Sequence, residues 1–233
     1  MKKMIALAGL IFSLSCRSTY DKSDVSIAST EEVVYFLQVP EARSREGVVS
    51  IDVLTVSVAL GSGSGAYVRY KGHDFVLAAA HVVDDAMIAL VTARGQVEEA
   101  KILLVDHARD FAVLQVPKLE NVKPIRLSSP SLSSLAIGEE LVYTGFPNRF
   151  GPLTIRGNIS AFYGSDVLIM QSYAWSGASG SLVLDRQGNI VGVLTAIELL
   201  HAGGDKLISN PNIVYVNLID KDFLEVLDDL FDL

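Results

Sequence analysis

The stretch SGASGSLVLD, Ser176 to Asp185, places three serines and two glycines within six residues and then turns apolar. Apolar runs flank its SGASGS part closely, VLIMQ before and LVLD after, which places that part inside the fold. Glycine permits unusual dihedral angles and a close approach of backbone to a ligand. The pattern Gly-x-Ser-Gly, residues 177–180, therefore indicates a nucleophile loop around Ser179. A plain Ser/Gly loop is the alternative.

The other common serine motif, the G-x-S-x-G elbow of α/β-hydrolases, does not fit this stretch. That elbow needs a glycine two residues after the nucleophile, on a turn between a strand and a helix. Here Ser181 occupies that position. The stretch therefore favours a fold other than the α/β-hydrolase fold.

Short apolar, β-branched runs continue from about Ser50 to the C-terminus, with turn residues between many of them. Examples are GAYVRY, FVLAAAHVV, FAVLQV, LVYTGF and NIVGVLTAI, and turn signals include YKGHD, RQGN, AGGD and NPN. Many short strands at this spacing predict an all-β sandwich or barrel. Only the last segment has a helical period, with Asp220 as its candidate N-cap and apolar residues at Phe223, Val226, Leu227, Leu230 and Phe231.

A serine hydroxyl becomes a nucleophile when a positioned histidine takes its proton and a carboxylate orients that histidine. His81 closes the run LAAAH at the end of an apolar strand, where alanines leave room around an imidazole. A core histidine bonded to backbone is the alternative interpretation. The other histidines fall in turns or loops: His73, His107 and His201.

Asp110 opens the apolar run DFAVLQV and so places a carboxylate at the mouth of a strand. The competing carboxylates are Asp84, Asp85 and Asp106. The order His81, Asp110, Ser179 is that of chymotrypsin, whereas hydrolases run Ser, Asp, His and subtilisins Asp, His, Ser. The residue order and the β-rich texture agree.

On these residues the chain resembles the trypsin-like (chymotrypsin-fold) serine peptidases, closest to the HtrA/Deg-like and glutamyl-endopeptidase branches. GSGSGAYV and FVLAAAHVV look like the block that ends in the catalytic histidine, and DHARDFAVLQV looks like the aspartate block. IGEELVYTGFPNRFG and TIRGNISAF resemble the opening of a second barrel, SGASGSLVLDRQGNIVGVLTA the nucleophile block, and NIVYVNLIDKDFLEVLDDL the closing strand and helix.

The resemblance implies two six-stranded antiparallel β-barrels and a C-terminal helix within residues 33–233, divided near residues 118–135. It implies that His81 is general base and then acid, that Asp110 orients it, and that Ser179 attacks the scissile carbonyl. The N–H groups of Gly177 and Ser179 would form the oxyanion hole. The function expected is a serine endopeptidase with a polypeptide substrate; the alternative is a catalytically silent binding or scaffold protein on the same fold.

The same alignment assigns a substrate pocket. Its first segment is Tyr173 and Ala174, and its wall is formed by Leu194, Thr195, Ala196 and Ile197. Leu194 stands where glutamyl endopeptidases have a histidine that binds an acidic side chain, and no acidic residue marks a trypsin-like pocket base. We therefore expect an aliphatic or small P1 residue.

The chain departs from the resemblance in the nucleophile block, where Ser181 replaces the second glycine of the commoner G-x-S-G-G and Leu182 replaces a frequent proline. Serine at this position also occurs in the glutamyl-endopeptidase branch. The residues after Ser179 are needed to complete a second barrel, so a PDZ domain such as HtrA proteins carry is not expected.

The N-terminus MKKMIALAGLIFSLSC has the charged, apolar and small-residue regions of a signal peptide over residues 1–15, with an apolar part too short to span a membrane. It also resembles a lipoprotein signal with Cys16 as the lipidated residue, although Ser13 stands where leucine is usual. The alternative is an ordinary secretory signal that leaves a free cysteine. Residues 16–32 are polar and predict a tether. We expect an exported protein, either periplasmic, membrane-anchored through that lipid, or secreted.

Composition narrows the function classes. Charged residues make up 20% and the net charge is −8, which disfavours nucleic-acid binding because phosphate contacts need Lys and Arg. The sequence has no HExxH motif and no clustered histidine or aspartate ligands, so neither a metal nor a cofactor is expected.

Overall fold

The structure, a computed structural model, describes residues 39–56, 59–128, 135–201 and 207–233, and only the backbone of residues 198–201 and 207–209. The predicted signal peptide, the tether and the candidate lipidation site Cys16 lie outside the described residues, as does part of the predicted connector.

The first barrel is built from strands whose buried residues alternate along the chain. In β1 (Val48–Thr55) the side chains of Val49, Ile51 and Val53 face the core while their neighbours are partly exposed, as the two-residue period of a strand requires. The remaining strands of this sheet in the described chain are β2 (Leu60–Tyr70), β3 (His73–Ala78), β4 (Ala86–Ala93), β5 (Gln96–Asp106), β6 (Phe111–Gln115) and β7 (Ile125–Arg126).

Strand pairing closes the first barrel. The hydrogen-bonded order is β1-β4-β5-β6-β3-β2, and β1 also pairs with β2, which completes the ring. The short strand β7 then adds to β2 in parallel. The strands of the ring are antiparallel to one another.

The second barrel is closed in the order β10-β13-β12-β11-β8-β9. Its strands are β8 (Glu140–Gly145), β9 (Leu153–Tyr163), β10 (Val167–Gln171), β11 (Leu182–Leu184), β12 (Ile190–His201) and β13 (Leu207–Leu218). The predicted fold of two six-stranded antiparallel barrels is confirmed. The prediction of a turn at NPN is wrong, because residues 210–212 lie within β13, where a register shift against β12 accommodates Pro211.

The two barrels pack against each other through apolar side chains. Leu141, Tyr143 and Val183 point into the second barrel, whereas Val142 and Leu184 belong to the core of the first. Strands β8 and β11 therefore have both faces buried, which explains why LVL is apolar without alternation.

Helices lie at the ends of the described chain and beside the strands. They are α1 (Val39–Glu46), the one-turn α2 (Ala80–Val83) and α3 (Lys221–Leu230), with a 3₁₀ turn at Pro147–Arg149. The predicted helix α3 is confirmed: Asp220 accepts from the N–H of Phe223 at 2.8 Å, and the ring of Phe223 packs on Phe111. No helix in the described part of the chain is long and apolar enough to cross a membrane.

Helix α1 was not predicted, because its sequence VPEARSRE has no apolar face. Polar contacts hold it instead. The hydroxyl of Ser44 lies 2.6 Å from that of Thr144, and the buried Glu41 pairs with Arg156, so α1 is anchored to the second barrel. Lys123, just before β7 of the first sheet, places its Nζ 3.0 Å from a carboxylate oxygen of Glu46. The helix thus contacts both halves of the protein.

Candidate active site

Asp110 and His81 meet at the edge of the first barrel. One carboxylate oxygen of Asp110 accepts from the backbone N–H of His81 at 2.9 Å, and the other lies 2.7 Å from the imidazole Nδ1. The backbone of Asp110 has a φ of 54°, and its carbonyl accepts from the N–H of Ala80 at 3.1 Å. The short helix α2 therefore meets Asp110 through two contacts of His81 with the carboxylate and one contact of Ala80 with the backbone carbonyl.

This contact sets the tautomer of His81. A carboxylate against Nδ1 favours the proton on that nitrogen, which leaves Nε2 as an acceptor. The side chain of His81 is 47% exposed and that of Asp110 25%. The imidazole is therefore oriented by its buried edge while its other edge remains accessible.

The competing carboxylates have other partners or positions. Asp106 accepts from the backbone N–H groups of Ala108 and Arg109, and it pairs with the Arg109 side chain at 3.0 Å. Asp84 is exposed on the rim of the site. The carbonyl of Asp85 accepts from Val56. Among the described carboxylates it is Asp110 that touches His81.

The remaining histidines lie apart from this contact. His73 stacks on Phe231 with 4.8 Å between ring centroids, and His107 occupies an exposed turn between β5 and β6. The side chain of His201 lies outside the described residues.

The nucleophile loop belongs to the second barrel and is hydrogen-bonded to the first barrel through Ser64 of β2. The N–H of Ser64 donates to the carbonyl of Ser179 at 2.8 Å, and its fully buried hydroxyl donates to the carbonyl of Gly177 at 2.6 Å. The same hydroxyl accepts from the N–H of Phe146 at 2.8 Å. One residue of the GSGSG stretch therefore carries three contacts across the barrel junction.

Backbone conformation explains the two glycines of this loop. Gly177 has a φ of 93° and Gly180 a φ of 91°, a region that side chains disfavour. A Cβ on Gly180 would also overlap the carbonyl oxygen of Ser64. Glycine at position 180 thus lets the two barrels approach at the site.

Some backbone N–H groups of the nucleophile loop donate hydrogen bonds to protein acceptors and others do not. Ala178 donates to Trp175 at 2.9 Å and Gly180 to Leu194 at 2.7 Å. Across the described residues, no protein acceptor faces the N–H of Gly177 or of Ser179. These two groups are the donors that the sequence assigns to an oxyanion hole.

The hydroxyl of Ser179 donates to the carbonyl of Thr195 over 3.4 Å, a long and weak contact. Ser179 and His81 nonetheless line one cavity of about 220 Å³. Its other described lining residues are Val53, Thr55, Gly61, Ser62, Val82, Asp84, Ser176 and Gly177. The three predicted residues therefore converge, with His81 and Asp110 in contact and Ser179 across the same cavity.

A comparison with known protein families identifies the family to which the chain belongs. Residues 63–193, which contain His81, Asp110 and Ser179, match the model of the trypsin-like peptidase domain. The chain belongs to the trypsin-like peptidase domain family.

Curated relatives of this trypsin-like domain include a periplasmic and a chloroplastic protease. The periplasmic serine endoprotease DegP of Salmonella typhimurium is 28% identical over 150 residues, covering 60% of this chain and 30% of DegP. Protease Do-like 1, chloroplastic, of Arabidopsis thaliana is 28% identical over 182 residues, covering 72% of this chain and 39% of that protein. The chain spans about a third of the length of these relatives.

Solved structures share the fold. The HtrA-type protease AlgW with a tripeptide superposes with a TM-score of 0.66 at 22% identity, covering 82% of this chain and 63% of AlgW. The active form of the Rv3671c protease from M. tuberculosis gives a TM-score of 0.62 at 23% identity, covering 76% and 78%. The fold of this trypsin-like domain is that of the HtrA-type proteases.

A second cavity, of about 290 Å³, opens beside the nucleophile loop and is lined among the described residues by Trp175, Ser176, Ile197 and Pro211. Of the six predicted pocket residues, Ile197 lines it. Ala174 and Leu194 are buried in the core of the second barrel. Ser176 borders both cavities, which makes them neighbours.

The other predicted pocket residues are not among the described lining of this cavity. Thr195 is buried and bonds Tyr215 and Asn217 through its hydroxyl, while Ala196 is exposed. The carbonyl of Tyr173 accepts from the hydroxyl of Tyr143, whose pKa is raised by burial and by the neighbouring Tyr173. The phenol of Tyr143 therefore stays protonated and holds the start of the pocket segment.

Sequence reasoning missed several residues that build the site. Ser64 lay in a Ser/Gly stretch that carries no signal by itself, Trp175 lies outside the quoted motifs, and Pro211 was assigned to a turn at NPN. Asn217 donates its side-chain amide to the carbonyl of Arg109 at 2.6 Å, and so links β13 to the turn that presents Asp110. An amide in an otherwise apolar strand, NIVYVNL, was the available signal.

Replacing Gly180 tests how tightly the barrels approach. We expect Gly180→Ala to combine about 1–2 kcal/mol of backbone strain with about 1–3 kcal/mol of overpacking against Ser64. Gly72→Ala is the matched control, because Gly72 has a φ of 99° but nothing lies within 4 Å of its Cβ position. Urea unfolding of both variants measures the difference, and equal losses of stability would contradict the close approach.

Proposed function

We propose that this trypsin-like domain is an exported serine endopeptidase that uses His81, Asp110 and Ser179. The observation that carries the proposal is the double contact of Asp110 with His81 beside a cavity that Ser179 also lines. The family match and the DegP and HtrA relatives support a protease.

The first half of the proposed reaction forms an acyl-enzyme. The hydroxyl of Ser179 leaves the Thr195 carbonyl, and His81 Nε2 takes its proton as the oxygen attacks the scissile carbonyl carbon. The carbonyl π electrons move to oxygen, and this oxyanion accepts from the N–H groups of Gly177 and Ser179. The imidazolium then gives its proton to the leaving amine as the C–N bond breaks.

The second half restores the enzyme. Water attacks the acyl carbon and gives a proton to His81 Nε2, a second oxyanion forms in the same place, and Ser179 leaves with the proton returned by His81. Asp110 stabilises the imidazolium in both halves through the contact to Nδ1. A Gly177–Ala178 peptide flipped so that its carbonyl points into the oxyanion hole would favour the scaffold alternative. Within the described residues this carbonyl instead accepts a hydrogen bond from the Ser64 hydroxyl.

A serine-directed probe tests the activity. We expect a fluorophosphonate to label the wild-type protein, Ser179→Ala to abolish labelling, and His81→Ala to slow it by about 10⁴-fold or more. Ser165→Ala, which removes an exposed serine in a turn of the second barrel, should label like wild type. A folded wild-type protein that remains unlabelled would refute the proposed activity.

The cavity beside the loop supports an apolar P1 preference. Its described lining offers Trp175, Ile197 and Pro211 and no charged group, so a buried charged side chain would lose its hydration without compensation. We propose that this cavity, which Ile197 of the predicted wall lines, receives an aliphatic side chain.

Profiling with a peptide library tests the pocket. We expect cleavage after Val or Leu to exceed cleavage after Glu or Lys, and Trp175→Ala to lower kcat/KM for Leu substrates by about 10-fold. Tyr163→Ala, which removes an aromatic ring that is 72% exposed, is the control and should leave the profile unchanged. A preference for Glu would instead show that the assigned cavity is not the P1 site.

We also propose that the chain is exported, processed before Cys16 and lipidated there, so that it is a membrane-anchored lipoprotein. The N-terminal sequence and the periplasmic relative DegP support export.

Metabolic labelling tests this anchor. In a bacterial host given an alkyne fatty acid, the wild-type chain should acquire the label and Cys16→Ser should not. Mass spectrometry of the mature N-terminus reports the cleavage site. A chain that is cut before Cys16 but carries no label would instead establish an ordinary secretory signal.

A further inference from the structure

The two proposed oxyanion donors belong to peptide units whose carbonyls are both held by hydrogen bonds. The carbonyl of Ser176, on the unit that bears the Gly177 N–H, accepts from the N–H of Asn148 at 2.7 Å. The carbonyl of Ala178, on the unit that bears the Ser179 N–H, accepts from the hydroxyl of Ser181 at 2.7 Å. In a planar trans peptide the C=O and N–H point in opposite directions, so holding one aims the other.

Among the described residues, the hydroxyl of Ser181 has this carbonyl as its hydrogen-bond partner. Its side chain is fully buried, where a hydroxyl without a partner is costly, and its recorded partner is the Ala178 carbonyl. Gly145 at the end of β8 provides the space, because a Cβ there would overlap the Ser181 hydroxyl. The carbonyl of Ser181 accepts from Leu194 at 2.9 Å, which fixes the residue to β12.

We propose that Ser181 is a positioning residue for the oxyanion hole. Its hydroxyl holds the Ala178–Ser179 peptide so that the Ser179 N–H faces the substrate oxygen, while Ser181 itself never touches substrate. This inference rests on the proposed peptidase activity. The proposal also accounts for serine at position 181, where the commoner motif has glycine. A glycine has no hydroxyl that could hold the Ala178–Ser179 peptide in one orientation.

The size of the expected effect follows from what remains after the hydroxyl is removed. The N–H of Ser181 also donates to the Ala178 carbonyl, at 3.1 Å, so the peptide loses one of two restraints. Complete loss of an oxyanion donor costs about 10²–10³ in kcat. We therefore expect Ser181→Ala to lower kcat by about 10- to 100-fold with KM within about twofold, since the developing oxyanion is absent from bound substrate.

Ser44→Ala is a closely matched control. Ser44 is also a buried serine that donates to the carbonyl three residues earlier, that of Glu41 at 2.9 Å, but α1 contributes no residue to either cavity. The Ser44 hydroxyl also lies 2.6 Å from that of Thr144, so its removal costs stability without touching the loop. Both variants are assayed where urea titration shows them fully folded.

The test compares wild type, Ser181→Ala, Ser181→Gly and Ser44→Ala. A peptide boronate that forms a tetrahedral adduct on Ser179 should bind both Ser181 variants more weakly by the factor lost in kcat, whereas affinity for the cleaved product peptide stays unchanged. Ser44→Ala should retain wild-type kcat and boronate affinity. Using Ser181→Gly as well keeps the test valid if one variant fails to fold.

The outcomes separate the two proposals. An active wild type with both Ser181 variants within twofold of its kcat overturns the positioning role and leaves the peptidase assignment intact. An equal loss in Ser44→Ala also overturns it, because the effect would then come from stability. A folded wild type that neither cleaves peptides nor reacts with the fluorophosphonate overturns both.

Discussion

The contacts of Ser64 with the nucleophile loop are the constraint on which the site depends. His81 and Asp110 belong to the first barrel and Ser179 to the second, so the site exists only if the barrels keep one relative position. Ser64 bonds the carbonyls of Gly177 and Ser179 from the first barrel. The absence of a side chain on Gly180 lets that approach happen, and the apolar interface behind it supports the same alignment.

Hydrogen bonds beside the catalytic residues likewise join elements that are distant in sequence. Asn217 reaches from β13 to the turn that carries Asp110, just as Ser64 reaches from β2 to the nucleophile loop. Each of these contacts crosses between parts of the chain that are distant in sequence. The site is therefore assembled by long-range hydrogen bonds whose partners, unlike those of a helix or hairpin, are not set by local spacing.

This distinction also explains what the sequence could predict. The short β-branched runs, the capped period of α3 and the order His81, Asp110, Ser179 are local or ordinal features, and they predicted an all-β protein, its last helix and the candidate residues. The two six-stranded barrels were predicted from the resemblance to trypsin-like peptidases. Helix α1 has no apolar face and depends on tertiary contacts, so no sequence pattern predicted it. Pro211 appeared to mark a turn because the bulge that accommodates it arises only through pairing with β12. The side chains that line the apolar cavity were only partly predicted, since Leu194 turns into the barrel while Ile197 faces the cavity.

The fit between Gly145 and Ser181 also constrains which substitutions this site accepts. A larger residue at position 145 is blocked while Ser181 keeps the rotamer that bonds Ala178, because the new Cβ would occupy the place of the hydroxyl. Loss of the Ser181 hydroxyl would not open the position by itself, because the Ser64 hydroxyl would lie 2.9 Å from the same Cβ. The two positions are separated by 35 intervening residues in sequence, yet the residue that fits at one depends on the side chain present at the other.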